Sequence, residues 1–395
     1  MDNNIKIENL VKCLDRENKI LAILENNYNK NEIIIAYSPK DYIKGYDESF
    51  LDQLNYLTEK YKQKAFGYIS YDSVKFWEKL KDISKPIENW PYAEFFIPEE
   101  TIYIKDNVIE QKINKCETDE VKVDYYDSSL SKEEYKEKVK TILDYIHRGY
   151  AFQVVLSRFY RYSYNGDPIN IYLKLRKISP SPYLYYIKFY NRILIGASPE
   201  LLFELYNNNI VTYPIAGTRE RGIDEESDKK LENELLNSEK DNAEHLMLLD
   251  LARNDIGKVS IPGTVNVPKS FYIQKFSHVQ HIVSKVTGKI DKNRDLSYII
   301  KSLFPAGTVS GAPKPFAMNL IDELEIYKRG PYAGVVGYVS NNDTRMALSI
   351  RSIYINNEIM RIQAGAGIVY DSMPELEYIE TEQKLKALKI SLGVI

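Results

Sequence analysis

The spacing of apolar residues predicts a helix in the middle of the chain. Apolar side chains recur at three- and four-residue intervals from Tyr135 to Ile146, which places them on one helical face. Ser131 and Glu134 have the spacing of a capping box, and Gly149 is a typical C-terminal stop. We therefore expect a helix that begins just after Ser131.

The remaining hydrophobic pattern predicts several short strands and two long helices. Strands are expected at residues 152–156, 183–189, 192–196, 335–339, 346–355 and 359–363. Amphipathic helices are expected at residues 231–252 and 375–392. Because the strands come in hairpin-like pairs, the pattern favours an α+β fold of antiparallel sheets over a doubly wound parallel sheet.

Composition narrows the class of protein. The 395 residues include 53 basic and 56 acidic side chains, so the net charge of −3 gives no electrostatic case for binding nucleic acid. The polar, acidic stretch 116–132 is poor in aliphatic residues and indicates a domain boundary. We expect an N-terminal subdomain at residues 1–125 and a larger domain at residues 126–395.

Two cysteines, Cys13 and Cys116, argue against a disulfide scaffold or a cysteine-rich zinc site. The start of the chain lacks the apolar core of a signal peptide, and no apolar run reaches the roughly 18 residues of a membrane span. We expect a soluble, cytoplasmic protein with no membrane partner.

Paired carboxylates are the first candidate chemistry. Asp241 and Glu244 lie three residues apart in one predicted helix, and Glu377 and Glu380 repeat that spacing in the last helix. Two such pairs have the oxygen ligands that Mg²⁺ prefers. The alternative is two solvated acidic faces, which spacing alone favours.

Glycine-rich segments are the second candidate. Three segments are predicted as turns whose backbone amides could bind an anion: residues 214–222 (PIAGTRERG), 307–314 (GTVSGAPK) and 363–368 (QAGAGI). Taken singly, each segment is equally well explained as an ordinary turn. Arg351, on the predicted strand 346–355, is a candidate carboxylate clamp or a salt-bridge residue at the rim.

Two further residues have ambiguous settings. Glu200 follows Ser198-Pro199 at the end of a predicted strand, where a glutamate is usually a surface residue. His281 lies three residues after His278 on an apolar segment, without other zinc ligands nearby. It is either a core histidine or a general acid or base.

Taken in this order, the segments resemble the chorismate-utilising enzymes, specifically the branch of anthranilate synthase component I. The resemblance runs from about residue 66 to the C-terminus. It rests on FQVVLSR (152–158), ASPELL (197–202), KDNAEHLMLLDLARNDI (240–256) and RGPYAGVVG (329–337), together with the three glycine-rich segments. It implies two orthogonally packed antiparallel sheets flanked by helices, with an N-terminal subdomain.

Two positions distinguish the branches of this family. Isochorismate and salicylate synthases have a lysine that activates water where this chain has Gln153, so the resemblance disfavours water as nucleophile. Aminodeoxychorismate synthases typically have a nucleophilic lysine where this chain has Ala216. Both differences imply direct attack by ammonia and an anthranilate product. The alternatives are an aminodeoxychorismate synthase component without the lysine, or a non-catalytic homologue.

The resemblance also implies roles for individual residues. Glu200 is the expected acid, and His281 is either a base or a stabiliser of the leaving group. Mg²⁺ is the expected cofactor, bound by Glu244 and Glu380 with support from Asp241 and Glu377. The expected substrate-binding residues are Gly217, Thr218, Thr308, Tyr332, Arg351, Gly365 and Gly367.

The nitrogen source implies a partner. Glutaminase chemistry needs an activated cysteine, and neither Cys13 nor Cys116 lies in a suitable setting. We expect a separate glutamine amidotransferase subunit in a hetero-oligomer.

A feedback site for tryptophan is the last implication. Family members that bind tryptophan carry an LLES strand and an NPSPYM segment, which correspond here to residues 23–26 (ILEN) and 179–184 (SPSPYL). The candidate residues of this site are Glu25, Asn26, Ser179, Pro180, Tyr183 and Leu184. Because three positions differ from the family pattern, we expect weakened or absent inhibition; the alternative is a repacked site for the same ligand.

Overall fold

The structure is a computed structural model that describes residues 3–27, 31–109, 115–276, 279–291 and 293–395. Hydrogen bonding within this part of the chain joins eighteen strands into one large sheet, and the paired strands are antiparallel. The strands are β1 Ile20–Asn26, β2 Glu32–Gly45, β3 Ala65–Ile69, β4 Ala93–Lys105, β5 Lys122–Ser128, β6 Gln153–Asn165, β7 Tyr183–Phe189, β8 Arg192–Ser198, β9 Leu201–Tyr206, β10 Asn209–Thr212, β11 Ile215–Glu220, β12 Asn266–Lys275, β13 Val279–Lys289, β14 Gly311–Ala312, β15 Val335–Val339, β16 Asp343–Leu348, β17 Ser352–Asn356 and β18 Ile359–Ile368.

Nine α-helices in the same described ranges flank the sheet. They are α1 Asn3–Glu17, α2 Phe50–Tyr61, α3 Lys132–His147, α4 Ile169–Ile178, α5 Glu225–Leu236, α6 Glu239–Val259, α7 Leu296–Leu303, α8 Lys314–Leu324 and α9 Pro374–Leu392. This arrangement confirms the predicted α+β class. Hydrogen bonds join the strands described into one continuous network. None of the helices described is long and apolar enough to cross a membrane.

The N-terminal strands pair with strands of the later part of the chain. β1 pairs with β7, and β3 pairs with β15. Strand β5 lies inside the acidic stretch that was predicted to contain a domain boundary, and it pairs with β6, so the stretch is not simply an irregular connection. The boundary near residue 125 stays a prediction.

Helix α3 confirms the most local prediction. The Ser131 side chain accepts a hydrogen bond from the Glu134 amide, and the Glu134 side chain accepts one from the Ser131 amide. These contacts satisfy amides that the helix start would otherwise leave unpaired. Gly149 follows with φ +80°.

The single helix predicted at 231–252 is wrong, because the chain breaks between α5 and α6. Ser238 caps α6 by accepting a hydrogen bond from the Asp241 amide at 3.2 Å. The Asn242 side chain donates to the Leu236 carbonyl at 2.8 Å. These side-chain contacts with the backbone compete with a continuous helix at residues 237–238.

Three predicted local structures also differ. Residues 346–355 form two strands, β16 and β17, and Arg351 lies between them with φ +52° rather than on a strand. The segment predicted as a turn at 363–368 belongs to β18. Most of the glycine-rich segment 214–222 forms β11, whose register shifts between Ala216 and Arg219. In each case pairing with a distant strand overrides the local sequence signal.

Cys13 and Cys116 form a disulfide across 103 residues of sequence. It ties helix α1 to the segment that precedes β5. The sequence analysis did not predict this pairing. Their separation in sequence gave no pairing signal, because only the fold brings them together.

A buried ion pair braces the centre of the molecule. Arg329 donates to Glu325 at 2.6 Å and is 1% exposed. The same guanidinium donates to the carbonyls of Val309 and Val155, at 2.7 and 2.8 Å. It thereby joins β6 to the loop that carries Thr308. It also satisfies two buried backbone carbonyls that would otherwise lack a hydrogen-bond donor.

Candidate active site

Glu200 lies in the turn between β8 and β9, as the sequence predicts, but it is not a free surface residue. The Thr308 hydroxyl donates to Glu200 Oε1 at 2.7 Å. Burial raises the pKa of Glu200 to about 7, although the Thr308 hydrogen bond and the Lys384 ammonium act in the opposite direction. The carboxyl group therefore keeps its proton to a higher pH than an ordinary glutamate does, which suits a general acid.

His281 lies on β13 against β11. Its Nδ1 lies 2.8 Å from the Gly217 carbonyl oxygen and 3.2 Å from the Thr218 hydroxyl. Because a carbonyl only accepts, Nδ1 carries the hydrogen. Burial and the neighbouring Arg351 lower the pKa of His281, while the Gly217 contact raises it. The ring is therefore neutral near pH 7, with its lone pair at Nε2.

Gly217 makes this contact possible. Its φ is +60°, and a Cβ there would lie 2.7 Å from Leu235 Cδ1 and 3.2 Å from Asp241 Oδ1. Only glycine fits this conformation so close to α5 and α6. The bulge in β11 thereby places the Gly217 carbonyl against His281 and its Cα against the acidic end of α6.

The four predicted metal ligands lie on α6 and α9. Burial raises the pKa of Glu244, and the nearby carboxylates of Asp241 and Glu380 add to the effect. Burial also raises the pKa of Glu377; Ser372 opposes this shift and Glu380 reinforces it. The two helices therefore bring their carboxylates within electrostatic reach of one another.

These carboxylates differ in their partners. Asp241 accepts from Arg219 at 3.0 Å, and Glu380 pairs with Lys384 at 2.6 Å. Glu377 Oε2 is buried without a hydrogen-bond partner. Among the residues described, no three His, Cys, Asp or Glu side chains form a ready-made metal cluster.

The donor set nevertheless fits a hard cation. All four side chains offer carboxylate oxygens, and Glu377 has an unsatisfied buried one. Mg²⁺ is commonly held by only one or two carboxylates, with water and substrate as further ligands. A site with a few carboxylates and free positions for water and substrate therefore suits Mg²⁺ better than a site in which the protein supplies every ligand.

The predicted carboxylate-binding residues lie close to one another. A Cβ on Gly365 would lie 3.0 Å from the Tyr332 hydroxyl, and Gly367 packs directly under the Gln153 amide. Burial lowers the pKa of Arg351, whereas Glu380 and Tyr332 act to raise it, so these groups are also neighbours. Gly365 and Gly367 lie in β18, where they leave room for Tyr332 and Gln153 rather than form a turn.

Lys384 is a site residue that the sequence analysis missed. Its ammonium donates to the Gly365 carbonyl at 2.8 Å and to Glu380 at 2.6 Å. It also lowers the pKa values of Glu200, Glu244 and Glu377. The i, i+4 spacing from Glu380 was an available signal for the ion pair, but not for the contact with β18.

A cavity lies under α6 and reaches Glu200 and Thr308. Its lining is mostly apolar and includes Leu248 and Leu251 of α6. The lining does not extend to His281 or Arg351, so the cavity covers only the Glu200 side of the candidate site.

A second cavity lies where β1 meets β7. Glu25, Asn26, Tyr183 and Leu184 line it, and Asn26 lies directly opposite Tyr183 in the sheet. Ser179 and Pro180 are not among its lining residues, so these two predicted positions are not brought to the cavity. The Glu25 carboxylate is already bound by Arg176 at 2.8 Å and by Tyr172.

Comparison with known proteins agrees with this geometry. The chorismate binding enzyme family matches residues 17–389, and the chain belongs to that family.

Within the family, the chain is similar to proteins named anthranilate synthase component 1. The protein from Saccharolobus solfataricus is 52% identical and covers 97% of this chain and 96% of its own length. The protein from Aquifex aeolicus is 42% identical, covering 83% of this chain and 74% of the relative. The crystal structure of anthranilate synthase component I from Streptococcus pneumoniae is 33% identical, with a TM-score of 0.81 over 92% of both chains. The chain is thus an enzyme of the anthranilate synthase component 1 type.

Proposed function

We propose that this chain is the synthase subunit that converts chorismate and ammonia to anthranilate and pyruvate. The central observation is the Glu200–Thr308 pair, which supplies a carboxyl group with a pKa of about 7 at the candidate site. His281, Arg351 and the four acidic positions accompany it, so a non-catalytic homologue is not favoured.

In the first step ammonia adds to C2 of the ring, the double bonds shift and the C4 hydroxyl leaves. Hydroxide is a poor leaving group, so Glu200 donates its proton and the oxygen departs as water. Thr308 orients the carboxyl group through its 2.7 Å hydrogen bond.

In the second step the proton on C2 is removed, the ring becomes aromatic and the enolpyruvyl group leaves as pyruvate. We assign the base to Nε2 of His281, because Nδ1 is engaged with Gly217 and the lowered pKa keeps the ring neutral. This assignment favours a base over the alternative role of leaving-group stabiliser.

We assign Mg²⁺ binding to Glu244 and Glu380, with Asp241 and Glu377 in supporting positions. When bound, the cation neutralises the ring carboxylate of the substrate and stabilises developing charge. The chain's own part is to hold these carboxylates together; protons compete for them, since metal ligands must be deprotonated. The pKa values of Glu244 and Glu377 are raised, so Mg²⁺ affinity should fall as the pH is lowered.

We propose that the enolpyruvyl carboxylate of the substrate is bound by Arg351, Tyr332 and the backbone of Gly365 and Gly367. The residues proposed to line the site of the ring are Gly217, Thr218 and Thr308. Burial makes Arg351 an effective anion partner, because a desolvated guanidinium gains more from a carboxylate than an exposed one.

Nitrogen comes, in this proposal, from a glutamine amidotransferase partner. The chain has two cysteines, and both are used in the Cys13–Cys116 disulfide. No thiol is therefore left to attack glutamine. The relatives are named as component 1, which fits a complex with a second component. A cytoplasmic location stays a prediction.

Product analysis tests this proposal against the aminodeoxychorismate alternative. Chorismate, Mg²⁺ and ammonium chloride should give equimolar anthranilate and pyruvate by mass spectrometry. An amino-substituted product that retains the enolpyruvyl group, without pyruvate, supports the alternative. Titration of Mg²⁺ should also give tighter binding with chorismate present; equal affinities contradict a shared site.

A further inference from the structure

The core face of α6 contains one polar residue with no role so far. The buried residues of this helix are His245, Leu248, Leu249, Ile256 and Val259. His245 is 0% exposed and follows directly after Glu244. A histidine at a position that packing alone would fill with an apolar side chain needs a specific partner.

That partner is on the strand that carries His281. His245 Nε2 lies 2.7 Å from the Ser284 hydroxyl of β13, three residues after His281. The Phe271 amide of β12 also donates to this hydroxyl, at 3.0 Å. The Phe271 ring packs edge-on against the His245 ring, with 4.7 Å between the ring centroids. Phe271 has φ +50°, an uncommon conformation for a bulky residue that tends to persist at functional positions.

Glu244 has no comparable support of its own. Within the described ranges its carboxylate accepts no hydrogen bond and forms no ion pair, in contrast to Asp241 and Glu380. The rotation and height of α6 relative to β13 must therefore set the position of the Glu244 carboxylate. The buried contact between His245 and Ser284 is one residue away and contributes to both the rotation and the height.

We propose that His245 is a positioning residue that holds Glu244 in place for the metal through its contact with Ser284. The inference rests on the proposed metal role of Glu244. It predicts that loss of the contact weakens Mg²⁺ binding more than it weakens the fold, because partners that orient metal ligands typically contribute 10–100-fold in metal affinity.

The test is calorimetric titration of Mg²⁺ into the full chain, with chorismate present and ammonia absent, alongside thermal melting. We expect His245→Leu to weaken Mg²⁺ binding at least about tenfold. His245→Gln should restore affinity to within about threefold, because its amide nitrogen reaches the place of Nε2. Ser284→Ala should weaken binding in the same direction.

Leu249→Ala is the matched control, since Leu249 is buried on the same helix face but makes no polar contact in the site. It should lower the melting temperature and leave Mg²⁺ affinity within about twofold of the wild type. If Leu249→Ala weakens Mg²⁺ binding as much as His245→Leu, the contact only stabilises the fold and the inference is wrong.

Glu244→Gln separates this inference from the proposed function. If Glu244→Gln loses Mg²⁺ affinity but His245→Leu and Ser284→Ala bind Mg²⁺ like the wild type, the positioning role of His245 is wrong and the proposed metal site is retained. If Glu244→Gln binds Mg²⁺ like the wild type, the proposed metal role of Glu244 fails and the inference falls with it. Should His245→Leu not fold, the milder Ser284→Ala variant decides between these outcomes.

Discussion

At the scale of single residues, the proposed role of Glu200 as the acid predicts the pH range of the reaction. Its pKa of about 7 lies well above the ordinary 4.5, so the proton-donating form persists to neutral pH and is lost as the pH rises through about 7. At fixed free ammonia, the rate should therefore fall on the alkaline side of this value. Glu200→Gln, which cannot supply the proton, should lower the rate by about 10²–10⁴-fold.

The Thr308 hydroxyl gives a second prediction for the same profile. Its hydrogen bond favours the charged form of Glu200, so Thr308→Val should move the alkaline limb of the rate to higher pH. Thr308→Ser keeps the hydroxyl and should retain the wild-type profile. A profile that is unchanged in Thr308→Val contradicts the assignment of Glu200 as the titrating acid.

The sequence alone could identify these residues as candidates for the site, but it could not predict their burial or their hydrogen-bond partners. The sequence around Glu200 is that of a surface glutamate, because its burial and its contact with Thr308, 108 residues away, arise only in the fold. Arg351 was expected on a strand, and Lys384 was not expected in the site. Such environments depend on contacts between distant segments, which local spacing does not encode.

At the scale of elements, the bulge of β11 at Gly217 connects the strand to both helices. Gly217→Ala should cost about 1–3 kcal/mol, because a Cβ at φ +60° is strained and meets Leu235. It should also lower activity, since the Gly217 carbonyl holds His281. Denaturant unfolding and initial rates measure the two effects.

Gly149→Ala is the control for Gly217→Ala. Gly149 also has a positive φ, +80°, but a Cβ there meets nothing within 4 Å. Gly149→Ala should cost about 1–2 kcal/mol, the penalty of a Cβ in the left-handed region, and leave activity unchanged. Equal effects of both substitutions on activity contradict a specific role for the β11 bulge.

The cavity between β1 and β7 bears on feedback by tryptophan. Asn26 and Leu184 line it where family members that bind tryptophan have Ser and Met, and we predict weak or absent inhibition. Asn26→Ser should strengthen inhibition, measured as initial rate against tryptophan at fixed chorismate. Strong inhibition of the wild type, lost on substitution of Asn26, means that the site is intact and the prediction wrong.

Elements whose structure depends on neighbouring residues in the sequence were predicted well, and elements whose structure depends on contacts with distant segments were not. The capping box of α3 needs only residues 131 and 134, and its helix was predicted almost to the residue. The break between α5 and α6 depends on competing side-chain hydrogen bonds at residues 237–242. The strand at 346–355 was broken by pairing with β8 and β9, which periodicity does not reveal.

At the scale of the whole molecule, the Cys13–Cys116 disulfide closes a loop of about 100 residues. Constraint of the unfolded chain by such a link typically stabilises the fold by about 2–4 kcal/mol. Cys13→Ser should lower the free energy of unfolding by this amount, and a reductant should have no further effect on the variant. Thiol titration of the denatured, unreduced wild type should find no free thiol; two free thiols contradict the disulfide.

The antiparallel class could be predicted from the sequence, since hairpin-like strand pairs precede and follow the helices. The joining of all described strands in one sheet could not, because β1 pairs with β7 and β3 with β15 across more than 150 residues. The same long-range pairing brings the candidate acid, the candidate histidine and the candidate metal-binding carboxylates to one region. The reaction is therefore a property of the assembled sheet rather than of any one segment.

The most direct test of the proposed function is fluorescence detection of anthranilate made by the isolated chain. Chorismate, Mg²⁺ and ammonium chloride should give a steady signal that a chelator abolishes. Glutamine in place of ammonium should give none, because the chain has no thiol for glutaminase chemistry. Absence of anthranilate with ammonium contradicts the synthase activity, and turnover with glutamine alone contradicts the need for a partner subunit.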